Sequence, residues 1–430
     1  MVLDRRVPVL VSTSSLEGAR PFDADSPFRW GSISKSVTAL TALEATHRRQ
    51  VPLNVPVTEL LEPLPYENPW ATTAPLRLAH LLELSGGLPE LTAAEFDDNT
   101  PHPLKAALAR RARSRVLLWP PGLQHSYSNV APGITAAIVE RLTGSSFEDA
   151  ARRLVFVPLG MHVASFEPLR GLPGGFRADG QTEIPYWHMT FRAFGALNAS
   201  PRAMARFLQA LLDSGRIGGR QAVARDSVSR MYRAEATLGA RRGLDVGYGA
   251  GLYGWVHGGH LFHGHGGDAD GYRSRFGLLR DSGRGYLLGI NVDNPSLLRR
   301  MQRITERALT ADLDAPAAPP AVRLAPAVLA RYTGTYYPSS TRFHLGRWQS
   351  GEAERARLVL ADGELQFVRN GDVERLIAVA AGRFRRARDP AVSIVLAQQD
   401  GVMYLQGELG NFVRVEPGPC AEFLPGCTSE

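Results

Sequence analysis

The first chemistry legible in this 430-residue chain is a serine followed three residues later by a lysine, at the start of a helical pattern: Ser32-Ile33-Ser34-Lys35. Positions three apart on a helix share a face, so the Lys35 amine can stand beside the Ser32 hydroxyl. An alcohol is a poor nucleophile until a base takes its proton, and a lysine serves if desolvation lowers its pKa. A helix start also leaves backbone N–H groups without intrahelical partners, so the Ser32 N–H can face a developing oxyanion. Alone, the pattern also describes a helix with cap serines and a surface lysine. Lysine usage sharpens it. Among 49 basic residues only Lys35 and Lys105 are lysines; the rest are arginines, which cannot act as bases.

Two further motifs carry groups that complement this pair. Tyr127-Ser128-Asn129 follows the Pro120-Pro121-Gly122 turn and precedes a helix. A phenol near a cationic lysine can titrate low enough to relay protons to a leaving group, and an asparagine amide can both donate to and accept from a substrate amide. Read alone, it is a loop with an asparagine helix cap. His265-Gly266-Gly267 lies at the end of a strand-like run. Two glycines permit close backbone approach to a ligand, the following N–H of Asp268 can complete an oxyanion pair, and His265 can meet a substrate carboxylate or carbonyl. Its plainer reading is a tight strand-end turn.

These motifs need a scaffold. A helical pattern from near Ser32 carries Val37, Leu40 and Leu43 on one face, with further helices predicted at Pro132 to Arg141, Ser146 to Val155 and Pro201 to Asp213. Strand-like runs follow at Gly249 to Val256, His260 to His265, Tyr272 to Leu279 and Tyr286 to Val292, then a closing helix at Ser296 to Thr310. Helices, an antiparallel meander and a helix packed on it make an α+β domain over residues 1–311. Residues 312–326 (DLDAPAAPPAVRLAP) read as a linker. Residues 327–417 hold short β-branched and aromatic runs broken by turns such as Ala361-Asp362-Gly363 and Asn370-Gly371, which predict a small antiparallel β barrel or sandwich. Residues 418–430 are a tail.

Together the three motifs resemble the serine β-lactamase and penicillin-binding-protein superfamily, with its S-x-x-K, S/Y-x-N and K-T-G set. The tyrosine in the second motif and the histidine in the third are similar to the class C β-lactamase-related branch, which also contains DD-peptidases, D-aminopeptidases and esterases. Flanking segments extend the likeness from about Pro21 to Thr310: Phe28-Arg29-Trp30-Gly31, the run from Leu78 to Pro89, Gly195 to Ser200, and Gly264 to Tyr272. The resemblance implies a β-lactamase-like catalytic domain with a small β domain behind it. It implies Ser32 as the acylated nucleophile, Lys35 as its partner and Tyr127 as general base and acid. Asn129, His265, Gly266 and Gly267 would bind substrate, with the N–H groups of Ser32 and Asp268 as the oxyanion hole. Histidine in place of the K-T-G lysine removes a permanent positive charge near neutral pH, which favours ester or neutral-amide substrates over β-lactams. Relatives carry two strands and an export signal upstream of the nucleophile; here Val7 to Val11 is one expected strand.

The expected activity is acyl-enzyme hydrolysis of an ester, a D-amino-acid amide or peptide, or a β-lactam. The alternatives are a catalytically weak binder of peptidoglycan fragments in the cell envelope and an acyltransferase using the same residues. No cofactor is expected. His257, His260 and His263 lie near His265, but strand alternation puts only His263 and His265 on one face, and no metal site is expected. A net charge of +7 is spread without basic runs or nucleic-acid motifs, so the partner is a small-molecule or peptide substrate rather than nucleic acid. No apolar run is long enough to span a bilayer, and no secretory signal is visible. The resemblance points to periplasm or cell envelope, while the N-terminus leaves the cytoplasm open; oligomeric state is also open. Cys420 and Cys427 are either a small disulfide-closed loop or two tail thiols.

Overall fold

The computed structural model describes residues 1–4, 7–10, 13, 22–110, 112–340 and 355–414. Its first domain is built on a six-stranded antiparallel sheet. In chain order the strands are β1 (Val2–Asp4), β2 (Val7–Leu10), β3 (Tyr253–His257), β4 (His260–Ala269), β5 (Tyr272–Leu279) and β6 (Arg284–Ile290). Their spatial order is β3-β4-β5-β6-β1-β2. Where one N-terminal strand was expected at Val7, two are present, and β1 extends the sheet by pairing Val2 with Tyr286.

The sheet is covered on both faces. Helices α1 (Ser34–Arg49), α2 (Val130–Thr143) and α3 (Pro201–Leu212) belong to the layer on one side, and α4 (Pro295–Thr310) packs on the other. Period-two alternation sorts the core: Phe276, Leu278 and Leu287 join the large helical cluster, while Phe262, Leu279, Tyr286 and Leu288 pack with Leu298 and Leu309 of α4. Glu306 anchors α4: buried, it accepts from Tyr286 at 2.7 Å, Gln302 at 2.9 Å and Trp255 at 3.0 Å. His257 lies 3.4 Å from the same carboxylate, a partner that sequence reading had not found. The expected helix at Ser146 to Val155 is interrupted: α-helical Phe147–Ala151 widens into a π-turn at Arg152–Phe156.

Beyond α4, an irregular stretch leads to a short helix at Pro326–Ala330 and then a closed barrel. Its strands are β7 (Gly334–Pro338), β8 (Ala356–Ala361), β9 (Glu364–Arg369), β10 (Asp372–Ala380), β11 (Arg383–Arg385), β12 (Ile394–Gln399), β13 (Val402–Gly407) and β14 (Gly410–Arg414). Each pairs with its chain neighbour and β14 closes on β7. Asp362-Gly363, Asn370-Gly371 and Asp400-Gly401 all have positive φ at both positions, the type I′ geometry that matches strand twist in two-residue hairpins. Tyr336, Leu358, Leu365, Phe384, Ile394 and Leu405 fill the interior. Cys420 and Cys427 lie outside the described residues.

Candidate active site

Ser32 sits in a tight 3-10 turn, Gly31–Ile33, that feeds directly into α1. The turn is pressed onto β4. Gly31 has φ +55°, and a Cβ there would stand 2.7 Å from backbone atoms of Asp268. On the strand side, a Cβ on Gly267 would stand 1.9 Å from the Trp30 carbonyl oxygen. Both glycines are therefore required for the turn and the strand to meet.

The expected strand end at His265 is not an end: β4 runs on to Ala269. Glycine and aspartate are poor strand formers, but the ladder to β5, with Gly267 opposite Ser274 and Asp268 opposite Arg273, imposes the extended form. The hairpin closes with Ala269 opposite Tyr272. Alternating outward from that hydrogen-bonded pair, the N–H groups of Gly266 and Asp268 point away from β5. On that side β3 stops at Tyr253, opposite Gly264, so this stretch of edge faces the Ser32 turn rather than another strand. The Asp268 N–H is thus directed where the Ser32 N–H can act with it.

Lys35 is buried, with a relative exposure of 3%, and its Nζ lies 3.0 Å from Ser32 Oγ, 2.6 Å from Asn129 Oδ1 and 2.9 Å from the Phe194 carbonyl. The last two can only accept. A neutral amine giving its two hydrogens to these acceptors would turn its lone pair to the serine hydroxyl, and an ammonium would donate to Ser32 Oγ as well. The same Nζ lies 4.8 Å from the Tyr127 ring centroid. The phenol, far along the chain from the serine–lysine pair, converges on it.

The Tyr127 loop is held from two sides. The segment Leu84–Glu90 receives Gly122 N–H on the Ser85 carbonyl at 2.8 Å, Ser126 N–H on Leu84 at 2.7 Å and the Ser128 hydroxyl on Pro89 at 2.7 Å. The barrel holds the other side: Gln124 and Ser339 exchange two bonds of 2.7 and 2.6 Å, and Gln406 donates to the Leu123 carbonyl at 2.9 Å. The β domain is thus part of the wall that aims the phenol.

The His265 ring lies 6.4 Å from that of Tyr127, centroid to centroid. Its Nδ1 meets the Gly266 carbonyl and its Nε2 lies 2.9 Å from the Tyr248 hydroxyl. Burial pushes the Tyr248 phenol well above its ordinary range, so it keeps a hydrogen that it can donate to His265 Nε2. With Nε2 accepting, the ring proton sits on Nδ1, toward the Gly266 carbonyl. Both nitrogens are engaged by protein groups, and contact with a substrate carboxylate would require Tyr248 to give way. Arg275, opposite Gly266, lies on the other sheet face and donates to Tyr253. Tyr186 stacks on the buried Arg29 guanidinium at 4.1 Å, and Trp187 packs against Phe96 and Phe194. Glu90 was not visible as a site residue, yet its carboxylate accepts both the backbone N–H and the side-chain amide of Asn129.

Known proteins resemble this chain in sequence and in fold. A sequence profile of the Beta-lactamase family matches residues 1–310. A β-lactamase of Yersinia enterocolitica is 26% identical over 204 residues, covering 46% of this chain and 50% of that protein. Esterase EstB of Burkholderia gladioli is 30% identical over 191 residues, covering 39% of this chain and 48% of that protein. The chain therefore matches about half the length of these relatives. In overall fold it is similar to the octameric penicillin-binding protein homologue from Pyrococcus abyssi, with TM-score 0.56 and 18% identity over 92% of this chain and 90% of that one. The domain that brings Ser32, Lys35 and Tyr127 together makes this chain a member of the β-lactamase family.

Proposed function

We propose that this chain is a serine hydrolase that forms an acyl-enzyme at Ser32 on an ester or a neutral amide, D-amino-acid amides included, with β-lactams as poorer substrates. The observation that carries the proposal is the placement of Lys35 Nζ 3.0 Å from Ser32 Oγ, with Asn129 Oδ1 and the Phe194 carbonyl beside it as pure acceptors. Ser32 Oγ attacks the carbonyl carbon and its proton passes to the Lys35–Tyr127 pair. The oxyanion forms against the N–H groups of Ser32 and Asp268. The bond to the leaving group then breaks and that group takes the proton through Tyr127. Water, activated by the same pair, releases the acid. The preference for neutral substrates is supported by His265, whose ring nitrogens are both engaged by protein groups, Tyr248 and Gly266, rather than open to a substrate carboxylate.

The test is a panel of p-nitrophenyl esters, D-amino-acid amides, D-Ala-D-Ala peptides and nitrocefin, run with the wild type and Ser32→Ala. Ester or amide turnover and a fluorophosphonate mass adduct at Ser32 are expected, both lost in the variant. A Ser32 left unmodified by the reagent refutes the proposal.

A further inference from the structure

We propose that Glu90 is a positioning residue for acylation: its carboxylate fixes which way the Asn129 amide faces and, through that amide, stabilises the proton that Lys35 takes from Ser32. The proposal rests on the reading of Ser32 and Lys35 as nucleophile and base.

Glu90 ends the loop segment alongside the Tyr127 loop and is buried, with 8% relative exposure. Its Oε1 accepts the backbone N–H of Asn129 at 3.1 Å and that of Leu91 at 2.9 Å, and its Oε2 accepts Asn129 Nδ2–H at 3.2 Å. A carboxylate only accepts. Asn129 must therefore turn its NH₂ toward Glu90, and because the amide is planar its Oδ1 faces the other way, onto Lys35 Nζ at 2.6 Å. A neutral glutamine at this position would accept or donate equally well. The Asn129 amide could then flip and place its own NH₂ against the lysine.

The charge matters as well as the shape. The carboxylate stands behind the Asn129 amide from the amine, and a unit charge one amide's width away, at an effective dielectric of about 20 to 40, shifts an amine by about one pH unit or somewhat more. The titratable groups around the amine are Ser32 and Tyr127, with His265 beyond the phenol and Glu90 behind Asn129. The hydrogen bonds described for Glu90 run to Asn129 and Leu91, which makes its action on the amine one that passes through Asn129. A purely structural role is the competing account, since α2 begins at Val130 and an anion at a helix N-terminus is favourable.

The lysine content of the chain makes the test direct. With only Lys35 and the exposed Lys105 present, ε-carbon-labelled lysine gives two NMR signals, and Lys105 serves as the internal control. In Glu90→Gln the Lys35 midpoint should fall by about one pH unit while Lys105 stays put. The acid limb of the fluorophosphonate acylation rate should move down with it. The acylation plateau should drop about tenfold or more, with KM for an ester unchanged. Glu90→Asp keeps the charge but draws it back by one methylene, so it should fall between wild type and Glu90→Gln in both readouts. If Glu90→Gln does not fold, Glu90→Asp decides, and an unmoved Lys35 midpoint refutes the proposal. A folded Glu90→Gln whose rate falls while the Lys35 midpoint stays put also refutes it, and leaves only the helix cap. Labelling that survives in Ser32→Ala would instead sink the nucleophile assignment, without touching the Lys35 titration.

Discussion

Adding one methyl group at Gly267 tests how the nucleophile turn is seated. A Cβ there would lie 1.9 Å from the Trp30 carbonyl oxygen and 2.4 Å from Ser274 Oγ. Ordinary contact needs more than ~3 Å, so the two segments must part by about 1 Å. The Trp30 carbonyl is not free to yield alone, because Ser274 Oγ donates to it at 2.9 Å and the Ile33 N–H at 3.3 Å. The displacement is therefore passed to Gly31 and Ser32. Overpacking of this kind costs about 1–3 kcal/mol, and misplacing reacting groups by about 1 Å costs roughly 10²-fold in rate. Gly267→Ala should accordingly lose about 2 kcal/mol in urea unfolding and at least about 10²-fold in kcat for an ester. Gly266→Ala is the control. Its Cβ would meet only the ends of two side chains, Arg275 Cζ at 3.2 Å and Tyr253 Oη at 3.3 Å, and neither glycine has positive φ. It should stay within about threefold of wild type, since small adjustments of flexible side chains are cheap. Equal effects at the two positions would refute the seating argument, as would a Gly267→Ala enzyme with wild-type kcat.

Two other predictions follow from the loop that carries Tyr127 and from the buried histidines. Gln124→Ala combined with Gln406→Ala removes the three shorter side-chain bonds between the barrel and this loop, leaving Asn411 to the His125 carbonyl at 3.4 Å, and should lower kcat by about tenfold in a folded protein. An unchanged kcat would show that the barrel does not aim the phenol. Burial lowers His80, His125 and His263 each to about 4, below the unfolded value near 6.5. The unfolded chain then binds more protons across that window, so stability is fully present above pH 6.5 and is lost as pH falls toward 4. Each histidine contributes up to ~1.4 kcal/mol per pH unit, or at most ~4 kcal/mol per unit together. Urea unfolding at pH 7, 6 and 5 measures the slope, His125→Asn should reduce it by about a third, and a flat profile would contradict the burial argument.

What the sequence disclosed and what it withheld divide along the range of the interactions. The three-residue spacing of Ser32 and Lys35 is a local fact about a helix, and the 3.0 Å contact follows from it. The Asp-Gly and Asn-Gly hairpins of the barrel are equally local, because positive φ at two positions belongs to the dipeptide. The extension of β4 through Gly266, Gly267 and Asp268 was not legible, since residues with weak strand preference are held extended by a partner strand. Nor was the role of Glu90, which depends on an asparagine 39 positions away. His265 is the sharpest case. Its place in the motif was plain, but a ring nitrogen is a donor or an acceptor according to what faces it, and the Tyr248 hydroxyl facing it comes from another segment.

The same division bears on substrate choice. The atoms that attack and relay protons are specified by short motifs, whereas the groups that set their charge and direction come from elsewhere: Glu90 behind Asn129, Tyr248 against His265, and Ser339 against Gln124 across 215 residues. A change of preferred substrate therefore need not alter Ser32, Lys35 or Tyr127. Replacing Tyr248 alone would free a nitrogen of His265 to take a proton, and the proposed preference for neutral carbonyl compounds would then meet a positive charge beside β4.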